Sequence, residues 1–178
     1  MKNTFYTLAL LSVMSLLLGG CSKINSINLT KTYSDIEFTI PAPQAAGLVV
    51  TEAEVNADLA QLAQDYGFDI NKIESAKIKS ISLQIMDTTS TPYTFSVIDQ
   101  VDANFYADGI SVIQVGTDDA IHTSPSQIDF DLNGVDVTPY LKASLFKVKL
   151  NLTTNTAITH DVPMKGTISC EFKVKPLK

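Results

Sequence analysis

The six residues Asp129-Phe130-Asp131-Leu132-Asn133-Gly134 have the spacing of a metal loop. They match D-x-D-x-N-G, the opening of an EF-type calcium loop, in which oxygen ligands alternate along the backbone and a glycine permits the sharp turn. Asp129, Asp131 and Asn133 are therefore the calcium candidates. The twelfth position of such a loop is Tyr140, where the ion needs a bidentate glutamate. The flanking Ile128, Phe130 and Leu132 alternate as a strand does, and Asn-Gly as a hairpin turn explains the same residues. The expectation is a strand ending in a turn, with no metal. His122 follows Asp118-Asp119-Ala120-Ile121, and His160 precedes Asp161. Zinc needs three or four ligands, and no H-x-x-x-H or C-x-x-C spacing supplies them. His122, His160 and Asp161 would have to converge over a long range, so they are expected as solvated loop residues. Asp118 and Asp119 have no apolar neighbours that would raise a carboxyl pKa. Neither a G-x-S-x-G elbow nor a phosphate-cradling glycine loop occurs. The chain is expected to be no enzyme and to carry no cofactor.

Cysteine chemistry is sparser still. Cys170 sits in Thr167-Ile168-Ser169-Cys170-Glu171-Phe172-Lys173-Val174, where Ile168, Cys170, Phe172 and Val174 share one face. That is the setting of a buried thiol acting as a small hydrophobe. The other cysteine, Cys21, follows a basic start (Lys2), an apolar run from Thr4 to Leu18, and Gly19-Gly20. These are the three parts of a secretory signal, and the run is short of the roughly 20 apolar residues that a spanning helix needs. Leu18-Gly19-Gly20-Cys21 resembles the lipobox of bacterial lipoproteins, with Leu18, Gly19 and Gly20 before the cut and Cys21 as the acceptor thiol. The resemblance implies cleavage before Cys21, acylation of that residue and attachment to a membrane. Ser22 in the following position is not the aspartate that retains such proteins at the inner membrane, so an outer-membrane address is implied, on either its periplasmic or its surface face. With Cys21 acylated, Cys170 has no intramolecular partner.

Loss of residues 1–20 leaves 158 of the 178 residues, enough for one domain with a sizeable core. It also moves the net charge from −6 to −7, since Lys2 leaves and no acid does. This balance is wrong for nucleic acid, whose phosphates need a basic surface. Arginine is absent, which removes the bidentate fork for phosphate or carboxylate, and so is tryptophan, a common stacking platform for sugars.

The elements that must position any site are mostly strands. Residues 21–34 are read as a lipidated tether and 35–178 as the folded domain. Ile36, Phe38 and Ile40 alternate up to Pro41 and predict a first strand. Thr51-Glu52-Ala53-Glu54 fits a capping box, and Val55, Leu59, Leu62 and Tyr66 then share a helical face before Gly67. The expectation is an amphipathic helix over 52–66, lying on a sheet or acting as a lid. Ile81, Leu83 and Ile85 alternate with Ile78 out of phase, which a bulge or a helix-to-strand change near Ser80 would explain. Val101 to Ala107, then Asp108-Gly109, then Ile110 and Val112 predict a hairpin. Ile128 to Leu132, a helical turn at 138–144, Phe146 to Leu152, and Met164 to Val174 complete six or seven strands. The fold class is mainly β, an antiparallel β-sandwich, with a barrel tolerated equally by the pattern. Lys77, Lys79, Lys147, Lys149, Lys173 and Lys175 take outward positions, forming either a basic stripe or solvated, edge-protecting faces.

Lys31-Thr32-Tyr33-Ser34-Asp35 before the first strand and Asp136 to Leu141 before a long strand pair give the layout a resemblance to uncharacterised β-sandwich lipoproteins of Bacteroidetes. Asp87-Thr88-Thr89 resembles the short Asp-Thr/Ser-X acceptor at which those bacteria glycosylate exported proteins, with Thr88 as the acceptor. Three roles remain open: a non-enzymatic envelope module for structure, adhesion or assembly, a binder of a lipid or other small apolar ligand, and, with least support, a hydrolase with dispersed carboxylates. Partners are accordingly the membrane through Cys21, and an envelope protein, glycan or lipid. The mass of the peptide across Thr88, taken from protein of the native source, is expected to carry added sugar, and an unmodified peptide removes that assignment.

Overall fold

Period-2 alternation dominates the chain because one face of each strand must enter a core while the other meets water. The computed structural model describes residues 26–86, 93–119 and 126–175. Among the described residues there are nine strands: β1 (Ile27–Ile40), β2 (Gly47–Asn56), β3 (Ile73–Ile85), β4 (Ile98–Ala107), β5 (Ile110–Asp118), β6 (Gln127–Asp129), β7 (Asp131–Leu132), β8 (Leu145–Thr154) and β9 (Val162–Val174). Two short helices, α1 (Leu59–Tyr66) and α2 (Thr138–Lys142), accompany them. The strands form two antiparallel sheets packed as a sandwich and not closed into a barrel. Sheet I has the order β1-β9-β3-β6 and sheet II the order β2-β8-β4-β5-β7.

The pairings nest. β1 pairs with β9, β2 with β8, β3 with β6 and β4 with β5. The chain is thus a ribbon doubled back at Asp108-Gly109 and rolled up, with β9–β3 and β8–β4 as the lateral seams. This is a jelly roll, one of the ways an all-β chain limits its exposed edges. Gly109 closes the fold-back with a φ of 74°, a left-handed value that glycine adopts without steric cost.

The space between the sheets is filled by side chains. Phe95, Phe105, Phe146, Phe172, Leu150, Leu152 and Ile168 are all essentially inaccessible and belong to one continuous core. Phe146 lies at its centre, edge-on to Tyr33 at 5.8 Å and tilted against Phe105 at 4.9 Å, and Phe105 in turn meets Tyr140 at 6.2 Å. The Tyr33 hydroxyl donates to the Ala57 carbonyl at 3.0 Å, tying β1 of sheet I to the end of β2 in sheet II. Burial, reinforced by the nearby Cys170 and Asp58, holds that phenol far above its ordinary range.

Several expectations change. Thr51 to Glu54 do not cap a helix, because residues 47–56 pair with β8 over ten consecutive positions, setting Glu52 opposite Lys149 and Glu54 opposite Lys147. The helix is confined to Leu59–Tyr66, where Leu59, Leu62 and Ala63 are buried and Tyr66 is exposed. It fills the end of the sandwich instead of covering a sheet. Of the expected tether, residues 27–34 form the first half of β1, paired with β9 from Ile27 opposite Val174. The expected strand over Ile128, Phe130 and Leu132 is two pieces. β6 belongs to sheet I and β7 to sheet II, so the chain changes sheets at buried Phe130. Asn133-Gly134 is not a hairpin either, since the chain continues to Asp136, which bridges Lys77 of β3. The bulge anticipated near Ser80 is present, a register shift between Ile78 and Ser80 against β9.

Gly166 faces inward on β9, and a Cβ there would lie 2.9 Å from Cε2 of Phe38. Gly166→Ala is expected to cost about 1–3 kcal/mol, the usual range for overpacking a filled core. The readout is a lower urea midpoint at unchanged m-value.

Candidate functional site

With the interior filled, polar chemistry is left to the outer faces, and the outer face of sheet II is the most organised. Successive strands contribute Glu52 and Glu54 from β2, Lys147 and Lys149 from β8, Asp102, Asn104 and Tyr106 from β4, and Gln114 and Thr117 from β5. Asp102 is the hub. Its Oδ1 accepts from Gln100 Nε2 at 3.2 Å, Gln114 Nε2 at 3.0 Å and Thr117 Oγ1 at 2.8 Å. A register shift between Ala103 and Asn104 leaves Val115 as the extra residue and turns it into the core. Gln114 and Thr117 thereby both reach the same carboxylate.

One strand-length away, Tyr106 donates a short hydrogen bond to Glu52 Oε2. Lys147 lies 3.4 Å from Glu54 and 3.8 Å from Glu52, with its Nζ 5.7 Å from the Tyr106 ring centroid. The hydrogen bond to Glu52 leads in raising the Tyr106 phenol, because it favours the neutral donor. Beside this group is a shallow depression of about 260 Å³ lined by Glu54, Tyr106, Asp108, Ala143, Leu145 and Lys147. The arrangement offers fixed donors and acceptors on an open surface.

Asp136 organises the other side. Its Oδ1 accepts from Ala76 N at 3.2 Å, from Thr138 N at 2.9 Å and from the Thr138 hydroxyl, which fastens α2 to β3. Burial pushes this carboxyl up, but the bonds from Thr138 and then Ala76 outweigh it, and the net position is below the ordinary carboxylate range. In β1, Asp35 takes a φ of 56° at a register shift and meets Lys165 at 2.8 Å, whose hydrogen bond holds the Asp35 carboxyl down.

The calcium candidates do not converge. Asp129 lies on β6 opposite Ser82, Asp131 on β7 opposite Thr117, and the Asn133 amide donates to the Gln114 carbonyl at 3.2 Å. Among the described residues, no group of three or more His, Cys, Asp or Glu is placed to hold a metal ion. His160 Nδ1 lies 3.0 Å from the Thr159 hydroxyl, while Asp161 accepts from Ala42 N at 2.7 Å. Asp119 is exposed. Cys21, Thr88 and His122 lie outside the described residues. Cys170 is fully buried and its thiol is pushed up to about 12 by burial.

The lysines do not form one stripe. Lys77, Lys79 and Lys173 belong to sheet I, Lys147 and Lys149 to sheet II, and the two outer faces point apart. Lys79 meets Glu171 at 3.6 Å, while Lys173 and Lys175 share Glu74 at 3.6 and 3.0 Å. The Lys175 hydrogen bond is the leading cause that keeps the Glu74 carboxyl low. Sequence reasoning missed Asp102, Tyr106 and Glu52, whose association exists only through strand register. Asp136-Val137-Thr138-Pro139 did carry a signal, an Asp two residues before a Thr-Pro helix start.

No protein-family model matches the chain, and no curated protein does. Solved structures similar to it include a chain of infectious bursal disease virus, Gx strain, at 12% identity and a TM-score of 0.38, covering 84% of this chain and 32% of that one. A turnip yellow mosaic virus chain matches at 14% identity and a TM-score of 0.32, covering 85% of this chain and 95% of that one. A chain described among carbohydrate-binding modules of a β-sandwich superfamily matches at 8% identity and a TM-score of 0.36, over 80% and 52%. The chain spans about a third of the length of the bursal disease virus chain. These likenesses take the reading no further than the strand order does.

Asp136→Ala is expected to lower stability by about 1–2 kcal/mol, since it leaves the Ala76 and Thr138 amides without their acceptor. Because the folded carboxyl is held low, its contribution is complete above about pH 4, the range in which an unfolded Asp titrates, and is lost as pH falls through the folded value. Urea titrations of wild type and variant at neutral and acid pH check both: the two curves are expected to converge in acid.

Proposed function

We propose that the chain is a lipid-anchored module of a bacterial cell envelope. It is exported, acylated on Cys21, and works by contact, without catalysis. The observation that carries this reading is Leu18-Gly19-Gly20-Cys21 standing six residues before the first strand of a jelly roll. The Asp102 network and the Tyr106–Glu52–Lys147 group on sheet II are the surface on which an envelope partner finds ordered hydrogen-bonding groups. An outer-membrane address follows from Ser22, and glycosylation at Thr88 would accompany export.

The alternative, a carrier of lipid between the sheets, needs space that Phe95, Phe105, Phe146 and Phe172 occupy. Its lid requires a long helix on the sheet over 52–66, and the first third of that segment is strand, with the helix confined to Leu59–Tyr66. The depression beside Tyr106 is shallow and open, and it sets Glu54, Asp108 and Lys147 beside its apolar lining, poor company for a wholly apolar ligand.

Expression of the full chain in a bacterium that acylates lipoproteins tests the reading. Wild type is expected to enter the detergent phase on phase partition and to incorporate labelled palmitate. Cys21→Ala is expected to do neither while keeping its fold, because one acyl chain alone already contributes many buried CH₂ groups at about 0.8 kcal/mol each. Wild type that stays aqueous and unlabelled overturns the assignment.

A further inference from the structure

The lysines are unevenly placed along the sandwich. Cutting sheet I across β9 at Ile168 and sheet II across β8 after Lys149 gives two halves. One contains α1, α2, the start of β1 and the end of β9, and the other contains the loops at 41–46, 93–97 and 155–161. Nine of the ten described lysines fall in the helix-bearing half, all but Lys165, whereas the eighteen described acids divide nine and nine. The helix-bearing half is formally neutral and the other carries about eight net negative charges at neutral pH, when Asp, Glu and Lys are all ionised.

The same end receives the chain from Cys21. β1 begins at Ile27, so the connector from the acylated residue is six steps long and spans at most about 20 Å fully extended. β1 itself has fourteen residues and rises about 45 Å, which puts the acidic end well beyond the connector's reach when the strands stand away from the membrane. Lying flat is sterically open to the domain. It would, however, press the strongly negative half against a leaflet whose anionic lipids repel it within about a Debye length, roughly 10 Å. Standing on the neutral end avoids that repulsion.

We propose that the helix-bearing end is a membrane-docking surface. On the lipoprotein reading above, it rests on the anionic leaflet that holds the acyl chains, and the acidic end projects outward. Lys72, Lys142 and Lys175 are exposed there, Lys142 bonded to the Ile73 carbonyl at 3.2 Å and Lys175 to Glu74 at 3.0 Å, with Tyr66 and Leu145, both half or more exposed, at the level where amphipathic and apolar side chains enter the interface. Asp58, Asp65, Asp69 and Glu74 stand at the same end. Orientation therefore comes from the short connector and the repulsion of the far half, not from a strongly basic patch.

Single-cysteine labels test the pose. Ala60→Cys on α1 and Ala157→Cys at the opposite end are both exposed sites. Buried Cys170, with its thiol pushed up to about 12, stays unlabelled in the folded protein. Acylated full-length protein carrying a dye at one site is reconstituted into phosphatidylglycerol-rich vesicles containing a lipid-borne quencher. The label at 60 is expected to be quenched several-fold more than the label at 157. In neutral phosphatidylcholine vesicles the contrast is expected to shrink as the flat pose becomes accessible. Equal quenching in the phosphatidylglycerol vesicles, or stronger quenching at 157, overturns the pose. Flotation of the same samples separates the two failures: protein that floats with equal quenching loses the pose alone, whereas protein that carries no acyl group and does not float loses the anchor and the pose together. Asn71→Cys and Thr156→Cys are a second pair for the same comparison should either alanine variant misfold.

Discussion

The pairing of β1 with β9 is the constraint on which the rest of the molecule depends. It joins residues near 27–40 to residues near 162–174 and is the outermost layer of a nested set that ends at β4–β5. Of the four nested pairings, only that last one closes a short loop, the Asp108-Gly109 turn. Each of the others fixes a longer stretch of chain and recovers the entropy only when its side chains enter the common core. Phe146 shows how that recovery is shared. Its ring sits on β8, yet it touches Tyr33 of β1 and Phe105 of β4, so neither sheet can form its inner face without the other.

The outer faces contribute differently. Their ion pairs, Lys79–Glu171, Lys165–Asp35 and Lys147 with Glu52 and Glu54, join partly or well exposed side chains. Pairs of this kind add about 0–1 kcal/mol each. They match register to charge instead: Glu52 and Glu54 on β2 face lysines of β8 across ten unbroken pairs, and a slip of one residue would send Val49 and Val55 outward and these acids inward. The Asp102 cluster belongs to the same face but is not a charge pair. Three neutral donors converge on one carboxylate oxygen, an arrangement that fixes side-chain positions on an otherwise solvated sheet.

What the sequence disclosed follows from which forces are local. Alternation marked Ile36 to Ile40, Val101 to Ala107 and Phe146 to Leu152, and the phase break at Ile78 marked an irregularity that the register against β9 resolves as a bulge. The stretch 27–34 escaped because much of it lies at the rim, where Asn28, Thr30 and Thr32 face water and Ile27 and Leu29 are only partly covered. Thr51 to Glu54 misled for the opposite reason. A capping box is a local signal of about 1 kcal/mol, and a ten-residue ladder against a strand ninety residues away outweighs it. The split of residues 128–132 between two sheets was hidden as well, because Ile128, Phe130 and Leu132 alternate smoothly through the crossing. The candidate surface fared worst. Asp102, Gln114 and Glu52 are ordinary polar residues until register makes them neighbours, and no spacing within a single segment records that.

The nested ribbon also decides which parts of the molecule are available for contact. Since first and last strands are antiparallel neighbours, the start of β1 and the end of β9 leave from one end, and α1 and α2 close that same end. The opposite end is built from connections between sheets: Pro41 to Ala46 joins β1 to β2, and Asn155 to Asp161 joins β8 to β9. Backbone bonds between Gln44 and Ile158, at 2.9 Å in both directions, and the Asp161 bond to Ala42 lock those two connections together. Tyr93 does the same for the segment before β4 by exchanging hydrogen bonds with Thr159, at 2.8 and 2.9 Å. The loops at that end are therefore already cross-braced. Their geometry is set by the fold itself, so these connections hold their shape without the ordering cost that a loose loop would carry into any contact.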